Sequence, residues 1–322
     1  MPAAQHRSAP QNRESSDNAF MQDVIDGLNQ KQKKLPSKYF YDTLGSKYFD
    51  EICDLDEYYP YRTELAMLPA IAQDLSHIID GDRDIVEFGA GSLVKIRLVL
   101  KQLNKVKRYF PIDIAGGHLR TAAATLQKEF NDLSIFPIEA DFTRQVDLPQ
   151  GGNTKKLGFF PGSTIGNFTP EQASDFLKET RKTLGKGALL LIGVDTKKSP
   201  EILHLAYNDS QGVTGKFNRN ILHHINRKTG TSFDPELFDH YAYYDPVKGR
   251  IEMHLISRVQ QSVNLEDYTF TFAQGENIHT ENSHKYTPEE FTALAAKSGW
   301  RGLRKWLGEE QMFGVYLLQS ID

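Results

Sequence analysis

The chain has 322 residues, 39% of them hydrophobic and 25% charged, with a formal net charge of −4. That is material for one large domain with an insertion, or for two domains, and it lacks the basic excess of a nucleic-acid binder. The single cysteine, Cys53, excludes a disulfide framework or a Cys-rich metal site, and no apolar run reaches membrane-spanning length.

Residues 1–17 are polar and aperiodic and read as a disordered tail. They contain no apolar segment of a secretion signal, so a cytoplasmic enzyme is expected, with no membrane or nucleic-acid partner and as a monomer. From Asn18, the residues Phe20, Val24, Ile25 and Leu28 recur at helical spacing. Residues 35–66 are crowded with tyrosines, among them Tyr39, Tyr41, Tyr58, Tyr59 and Tyr61. Such a segment can pack as an aromatic layer or wall a small polar substrate. Ser46 is a plausible N-cap for a helix through Phe49 and Ile52, and Pro60 is expected to break the chain. A helix then covers roughly Leu65 to Ile79.

The segment from Asp84 to Ser92 organises the rest. Ile85, Val86 and Phe88 suit a buried parallel strand. Gly89 and Gly91 allow a sharp turn and a close approach by a ligand. Leu93 through Leu100 then give a helix with a broad apolar face. Strand, Gly-x-Gly and helix form a nucleotide-binding opening, but Val94 stands where the dinucleotide fingerprint wants a third glycine. A nucleoside without phosphates, such as S-adenosyl-L-methionine (SAM), fits better than a pyrophosphate. Asp113 ends the next strand about twenty residues on, where an acidic side chain accepts from ribose hydroxyls. A third strand is expected over Ser134–Phe142, placing Asp141 and Phe142 beside an adenine. A fourth runs from Lys156 to a second glycine turn at Gly162, with Asn167 just beyond, and Ala188–Val194 is an aliphatic fifth. Strands alternating with helices in this way give an α/β, doubly wound sheet that gathers ligands at the carboxyl ends of its strands.

After Asp195 the rhythm changes. Helices are expected up to Asp209 and over Val213–Asn226. Extended segments follow around Tyr241, Arg250 and Tyr268, then a helix from Pro288 and two final strands, Trp300–Trp306 and Met312–Leu318, returning to the first sheet. Residues 197–287 therefore read as an insertion that packs with residues 18–62, leaving 63–196 and 288–322 as the nucleoside-binding domain. The adjacent His223 and His224 do not share a helix face and read as structural; no metal is expected.

Several blocks stand in a fixed order: Lys38-Tyr-Phe-Tyr-Asp, Glu57-Tyr-Tyr-Pro, Glu87-Phe-Gly-Ala-Gly-Ser, Gly162-Ser-Thr-Ile-Gly-Asn, Phe217-Asn-Arg-Asn, Arg250-Ile-Glu-Met and Thr280-Glu-Asn-Ser-His-Lys. In these the chain resembles the SAM-dependent methyltransferases and, more closely, the L-histidine Nα-methyltransferase family of ergothioneine biosynthesis, from about residue 34 to the end. The resemblance implies a Rossmann-like SAM-binding sheet with a second α+β substrate-binding domain. It puts the methionine part of SAM near Gly89 and Lys95, the ribose on Asp113, and the adenine beside Asp141 and Phe142. It puts the histidine amine and carboxylate near Asn167, Tyr207 and Tyr41, and the imidazole near Tyr58, Glu281 and Ser283. Phe88, Ala90 and Leu93 vary the glycine loop, and Asn282 and His284 surround the Glu-x-Ser pair.

The implied reaction is methyl transfer to an amine, up to trimethylhistidine (hercynine). It needs a neutral amine aligned in line with the methyl group. No dedicated base is evident. Tyr41 and Asn167 are the groups expected to steer the nitrogen, and aromatic faces tolerate a growing ammonium. Nα-methylation of another amino acid, such as a tryptophan derivative, and a catalytically silent SAM-binding protein are the alternatives.

Overall fold

The computed structural model describes residues 10–79, 81–103, 105–149 and 154–321, with side chains from residue 18 onward. Its elements in chain order are α1 (Pro10–Leu28), α2 (Thr43–Cys53), α3 (Tyr59–Ile78), β1 (Arg83–Phe88), α4 (Val94–Leu100), β2 (Val106–Asp113), α5 (Gly116–Glu129), β3 (Ser134–Ile135), β4 (Ile138–Glu139) and β5 (Lys155–Phe160). They continue with α6 (Pro170–Leu184), β6 (Leu189–Asp195), α7 (Pro200–Tyr207), α8 (Val213–Thr229), β7 (Phe238–Asp245), β8 (Arg250–Ser257), β9 (Gln261–Leu265), β10 (Tyr268–Phe272), β11 (Asn277–His284), α9 (Pro288–Lys297), β12 (Trp300–Leu307) and β13 (Phe313–Ser320). Of the tail read over 1–17, residues 1–9 lie outside the described residues and residues 10–17 are the first turns of α1. No helix among the described residues is long and apolar enough to cross a membrane.

The large sheet has the order β12-β13-β6-β5-β1-β2-β3, with β4 also pairing β2. β6, β5, β1, β2 and β3 run parallel, while β13 and β12 close one edge antiparallel. β1 and β6 are buried along their whole length, as strands covered by helices on both faces require. One apolar cluster on the sheet joins Leu68, Ile85, Ile96, Tyr109 and Leu191; the other joins Val86, Phe160, Phe176, Leu190 and Trp300. A third cluster unites two distant stretches, residues 20–59 and 203–278, around Phe40, Phe217, Ile221 and Leu255. It packs beneath a three-stranded antiparallel sheet of order β11-β8-β7.

Three local expectations change. The third strand is two short ones, because Pro137 has no N–H to give the ladder. Pro60 does not break the chain: it lies in the first turn of α3, where its missing N–H is no loss. The N-cap of α2 is Asp42, whose carboxylate accepts from Gly45 N at 2.7 Å, and not Ser46, which lies within the helix.

Candidate active site

The site begins at the exit of β1. Gly89 (φ 68°) and Gly91 (φ 55°) occupy the left-handed region that favours glycine. A Cβ on Gly89 would stand 3.2 Å from the Phe142 ring, so that ring is closed down on the turn. Asp113, at the end of β2, accepts from Gly91 N at 2.9 Å and from Ala115 N at 2.8 Å. One carboxylate thus ties the glycine turn to the second strand and keeps lone pairs for a ligand. Lys95, in the first turn of α4, pairs at 2.6 Å with Glu64 of α3, which also accepts from Gly162 N at 2.8 Å. Asp141 follows β4, accepts from Thr143 and lies 3.5 Å from Lys38.

Apart from Glu64, these groups line one cleft of about 1360 Å³, together with Tyr61, Glu87 and His118. A smaller cavity of about 590 Å³ adjoins it, walled by Tyr207, Glu281, Ser283, Lys285, Phe217 and Met253. Tyr41, Phe49, Tyr58, Gly162, Thr164 and Asn167 line both. Every residue assigned from the sequence to a ligand therefore borders one of two adjoining spaces. Gly89, Lys95, Asp113, Asp141 and Phe142 border the cleft. Tyr207, Glu281 and Ser283 border the cavity. Tyr41, Tyr58 and Asn167 stand between them.

The shared wall has local causes. Asn167 sits in a short 3-10 turn after β5 that packs hard on β11: a Cβ on Gly166 would lie 2.8 Å from the His284 carbonyl. Tyr41 follows a turn packed on α8, its ring edge-on to Phe49 at 5.7 Å and to Phe217 at 5.8 Å. Tyr58 precedes α3, edge-on to Phe49 and Tyr207, each at 6.2 Å. Burial raises the phenols of Tyr41 and Tyr58 well above their ordinary value, with Glu281 adding to both. Burial likewise raises Tyr207 against the opposing pull of Lys285. All three remain neutral hydrogen-bond donors.

β11 carries a register shift between His279 and Glu281. Such a bulge breaks the two-residue alternation and re-aims side chains. His279 stacks on His254 at 4.9 Å, away from the cavity, while Glu281 and Ser283 face into it. Burial lifts the Glu281 carboxyl to about 7, against the pull of the Lys285 ammonium.

One buried polar network of the site is not legible in the sequence. Asp195, at the carboxyl end of β6, is buried with Lys285 at 2.6 Å and Lys198 at 2.6 Å, and accepts from the Tyr59 hydroxyl at 2.7 Å. Lys285 also donates to Ser283 at 2.9 Å and Tyr207 at 3.1 Å, and Tyr207 donates to Ser283 at 2.7 Å. The available signal was Asp195 itself, an acid closing a buried strand on the sheet's ligand-binding edge. Cys53 lines the larger cleft, with its thiol pushed up to about 12 by burial, so the thiol stays protonated. His224 takes a structural place, its Nδ1 bonded to the Tyr39 carbonyl at 2.7 Å.

Among the described residues, Glu252, His254 and His279 group as metal ligands do, but outside this site. Their atoms are engaged with protein: Glu252 with Lys248, Arg250, Tyr243 and His254, His254 also with Asn277, and His279 with the Glu281 carbonyl.

Over residues 20–320 the chain matches the family described as histidine-specific methyltransferase, SAM-dependent. It is 37% identical to the histidine N-alpha-methyltransferase of Mycobacterium tuberculosis, covering 93% of this chain and 94% of that protein. It is likewise 37% identical to the enzyme of that name from Mycolicibacterium smegmatis, covering 94% and 96%. Ergothioneine biosynthesis protein 1 of Neurospora crassa is 28% identical over 89% of this chain, which spans 33% of that longer protein.

Proposed function

The chain belongs to the SAM-dependent, histidine-specific methyltransferases, and on that premise we propose that it methylates the α-amine of free L-histidine, three times in succession, to give hercynine for ergothioneine biosynthesis. The observation that carries this reading is the common wall of the two spaces, Tyr41, Tyr58 and Asn167. A two-ligand transfer needs a place where donor and acceptor meet away from water.

The larger cleft suits SAM. The glycine turn leaves backbone open to a nucleoside, with no atom within 4 Å of a Cβ placed on Gly91. Asp113 offers acceptors for ribose hydroxyls, and Phe142 and Asp141 offer an aromatic edge and an acceptor for adenine. Lys95 supplies a cation for an amino-acid carboxylate. When bound, SAM supplies a methyl group already activated on a sulfonium.

The smaller cavity suits histidine. Asn167 carries both donor and acceptor and so matches an amine and a carboxylate together. Tyr41 steers the amine and, with Tyr58 and Phe49, gives it an aromatic surround that accepts a methylated ammonium. Glu281 accepts an imidazole N–H, and Ser283 meets the other nitrogen. Tyr207 is placed to donate either to Ser283 or to the substrate carboxylate. The amine must shed its proton before attack, and burial in this wall favours the neutral form.

Mass spectrometry of the products from L-histidine and SAM tests the reading. Mono-, di- and trimethylated histidine should appear in turn. Methylation of an indole amino acid with histidine untouched would replace the substrate. SAM binding without transfer to any small amine would remove the enzyme.

A further inference from the structure

Lys285 lies just past β11, two residues beyond Ser283 and four beyond Glu281. Its side chain is 1% exposed and that of Asp195 0%, so water does not compete for its protons. An ammonium has three N–H groups and no acceptor. Here three protein oxygens surround it: Asp195 Oδ2 at 2.6 Å, Ser283 Oγ at 2.9 Å and Tyr207 Oη at 3.1 Å. Asp195 holds it there, and Asp195 is itself anchored by Lys198, Tyr59 and the backbone pairing of Tyr286 N to its carbonyl at 3.1 Å.

The consequence is a fixed hydrogen-bond polarity. Ser283 Oγ accepts from Lys285 and from Tyr207, which fills both its lone pairs. Its remaining capacity is its own O–H. With Tyr207 donating to Ser283, the group Ser283 turns toward the cavity is a donor. Two residues earlier on the same strand, Glu281 lines the same cavity as an acceptor. One donor and one acceptor match a ring with one bare nitrogen and one N–H, the neutral form of imidazole.

We propose that Lys285 is a specificity-determining positioning residue: held by Asp195, it fills with Tyr207 both acceptor sites of Ser283, so that Ser283 donates and with Glu281 the cavity selects a neutral imidazole side chain. This rests on the reading of the cavity as the histidine site. It adds that selectivity is set by a residue behind the contact surface. Indole has an N–H but no bare ring nitrogen, and phenylalanine has neither, so each leaves the outward donor buried and unmatched.

A double-mutant cycle tests it, using the full chain. The variants are Lys285→Met, Ser283→Ala and the pair, with Lys285→Met/Asp195→Asn as a companion that avoids a weakened buried carboxylate. Each is assayed for kcat/KM with L-histidine, for inhibition by L-phenylalanine, and for binding of S-adenosylhomocysteine. Each single variant should lower kcat/KM for histidine by about tenfold or more, chiefly through KM. S-adenosylhomocysteine binding should hold within about threefold, and phenylalanine inhibition should hold or strengthen, because the donor it leaves unmatched is gone. The double variant should lie within about threefold of the worse single, since both act on one hydrogen bond. Multiplicative losses, or parallel loss of histidine and phenylalanine binding with S-adenosylhomocysteine affinity intact, would overturn the proposal. If Lys285→Met fails to bind S-adenosylhomocysteine, the companion variant decides by the same criteria. A wild-type chain inactive on histidine would instead overturn the proposed function.

Discussion

Glu281 is the residue on which pH should act most visibly. Burial lifts its carboxyl to about 7, while Lys285 pulls it down; Tyr41, Tyr58 and Tyr207 around it stay neutral, and Asp195 in the same cavity, against the push of burial, is held below the usual carboxylate range by Lys285 and Lys198. Below about 7 it carries a proton and ceases to be a pure acceptor. A free imidazole gains its second proton near 6.5 and loses its bare nitrogen. Both changes weaken the proposed match, so kcat/KM for histidine should fall as pH drops through about 7. Glu281→Gln keeps a carbonyl acceptor but cannot titrate. Its acid limb should move down toward that of the imidazole alone, and its kcat/KM at pH 8 should drop roughly tenfold, the cost of one charge-assisted hydrogen bond. An unshifted profile would separate Glu281 from the substrate. Stability should move the other way. Between the ordinary carboxylate range and about 7 the folded chain binds a proton that the unfolded chain releases, so stability declines as pH rises through that window. Urea midpoints of Glu281→Gln should lack this decline. On the cofactor side, Asp113→Ala removes an acceptor for the proposed ribose contact and the partner of Gly91 N and Ala115 N. Calorimetry should show SAM affinity reduced about tenfold or more; unchanged affinity would move the ribose elsewhere.

The short turn holding Asn167 shows how backbone contact at the scale of an element places a side chain. Gly166 lets that turn lie against β11, and a methyl group there would meet the His284 carbonyl at 2.8 Å. Gly166→Ala should therefore push turn and strand apart, costing about 1–3 kcal/mol of stability. It should also lower kcat more than it weakens SAM binding, because Asn167 moves while the glycine turn at Gly89 does not. Urea unfolding and steady-state kinetics together read both effects; normal kcat with lowered stability would make the contact purely structural. Elements with a strong local signal were legible in the sequence. β1 and β6 announced themselves as apolar runs, and α9 by Pro288 and its periodic face. β11 was not, because Asn277–His284 alternates poorly: one side faces a polar cavity, the other a stack of histidines, and a bulge interrupts the count between them. Pro60 misled for a related reason. Proline also opens a helix from its first turn, which is where Pro60 stands in α3.

At the level of the whole molecule, the sheet and the residues at its strand ends could be read from spacing, since each strand–turn–helix unit is local. The joining of the two spaces could not. It depends on Asp195 meeting Lys285, ninety residues further along the chain, in a buried ion pair. A buried charge pair leaves no periodic trace: Asp195 stands out as an acid closing a buried strand, but nothing in the sequence ties it to Lys285. That pair, with the Tyr286–Asp195 backbone contact, fixes the three-stranded sheet over the carboxyl edge of the large one. The apolar cluster shared by residues 20–59 and 203–278 brings Tyr41, Phe49 and Tyr58 to the same edge. The central claim is that this arrangement holds both reactants at one wall. A crystal structure of the full chain with S-adenosylhomocysteine and L-histidine tests it directly. The thioether should lie in the cleft beside Gly89 and Asp113. The histidine should lie in the smaller cavity, its α-nitrogen at the Tyr41–Asn167 wall facing the sulfur and its imidazole between Glu281 and Ser283. Histidine bound elsewhere, or with its ring rather than its amine turned toward the sulfur, would contradict the account.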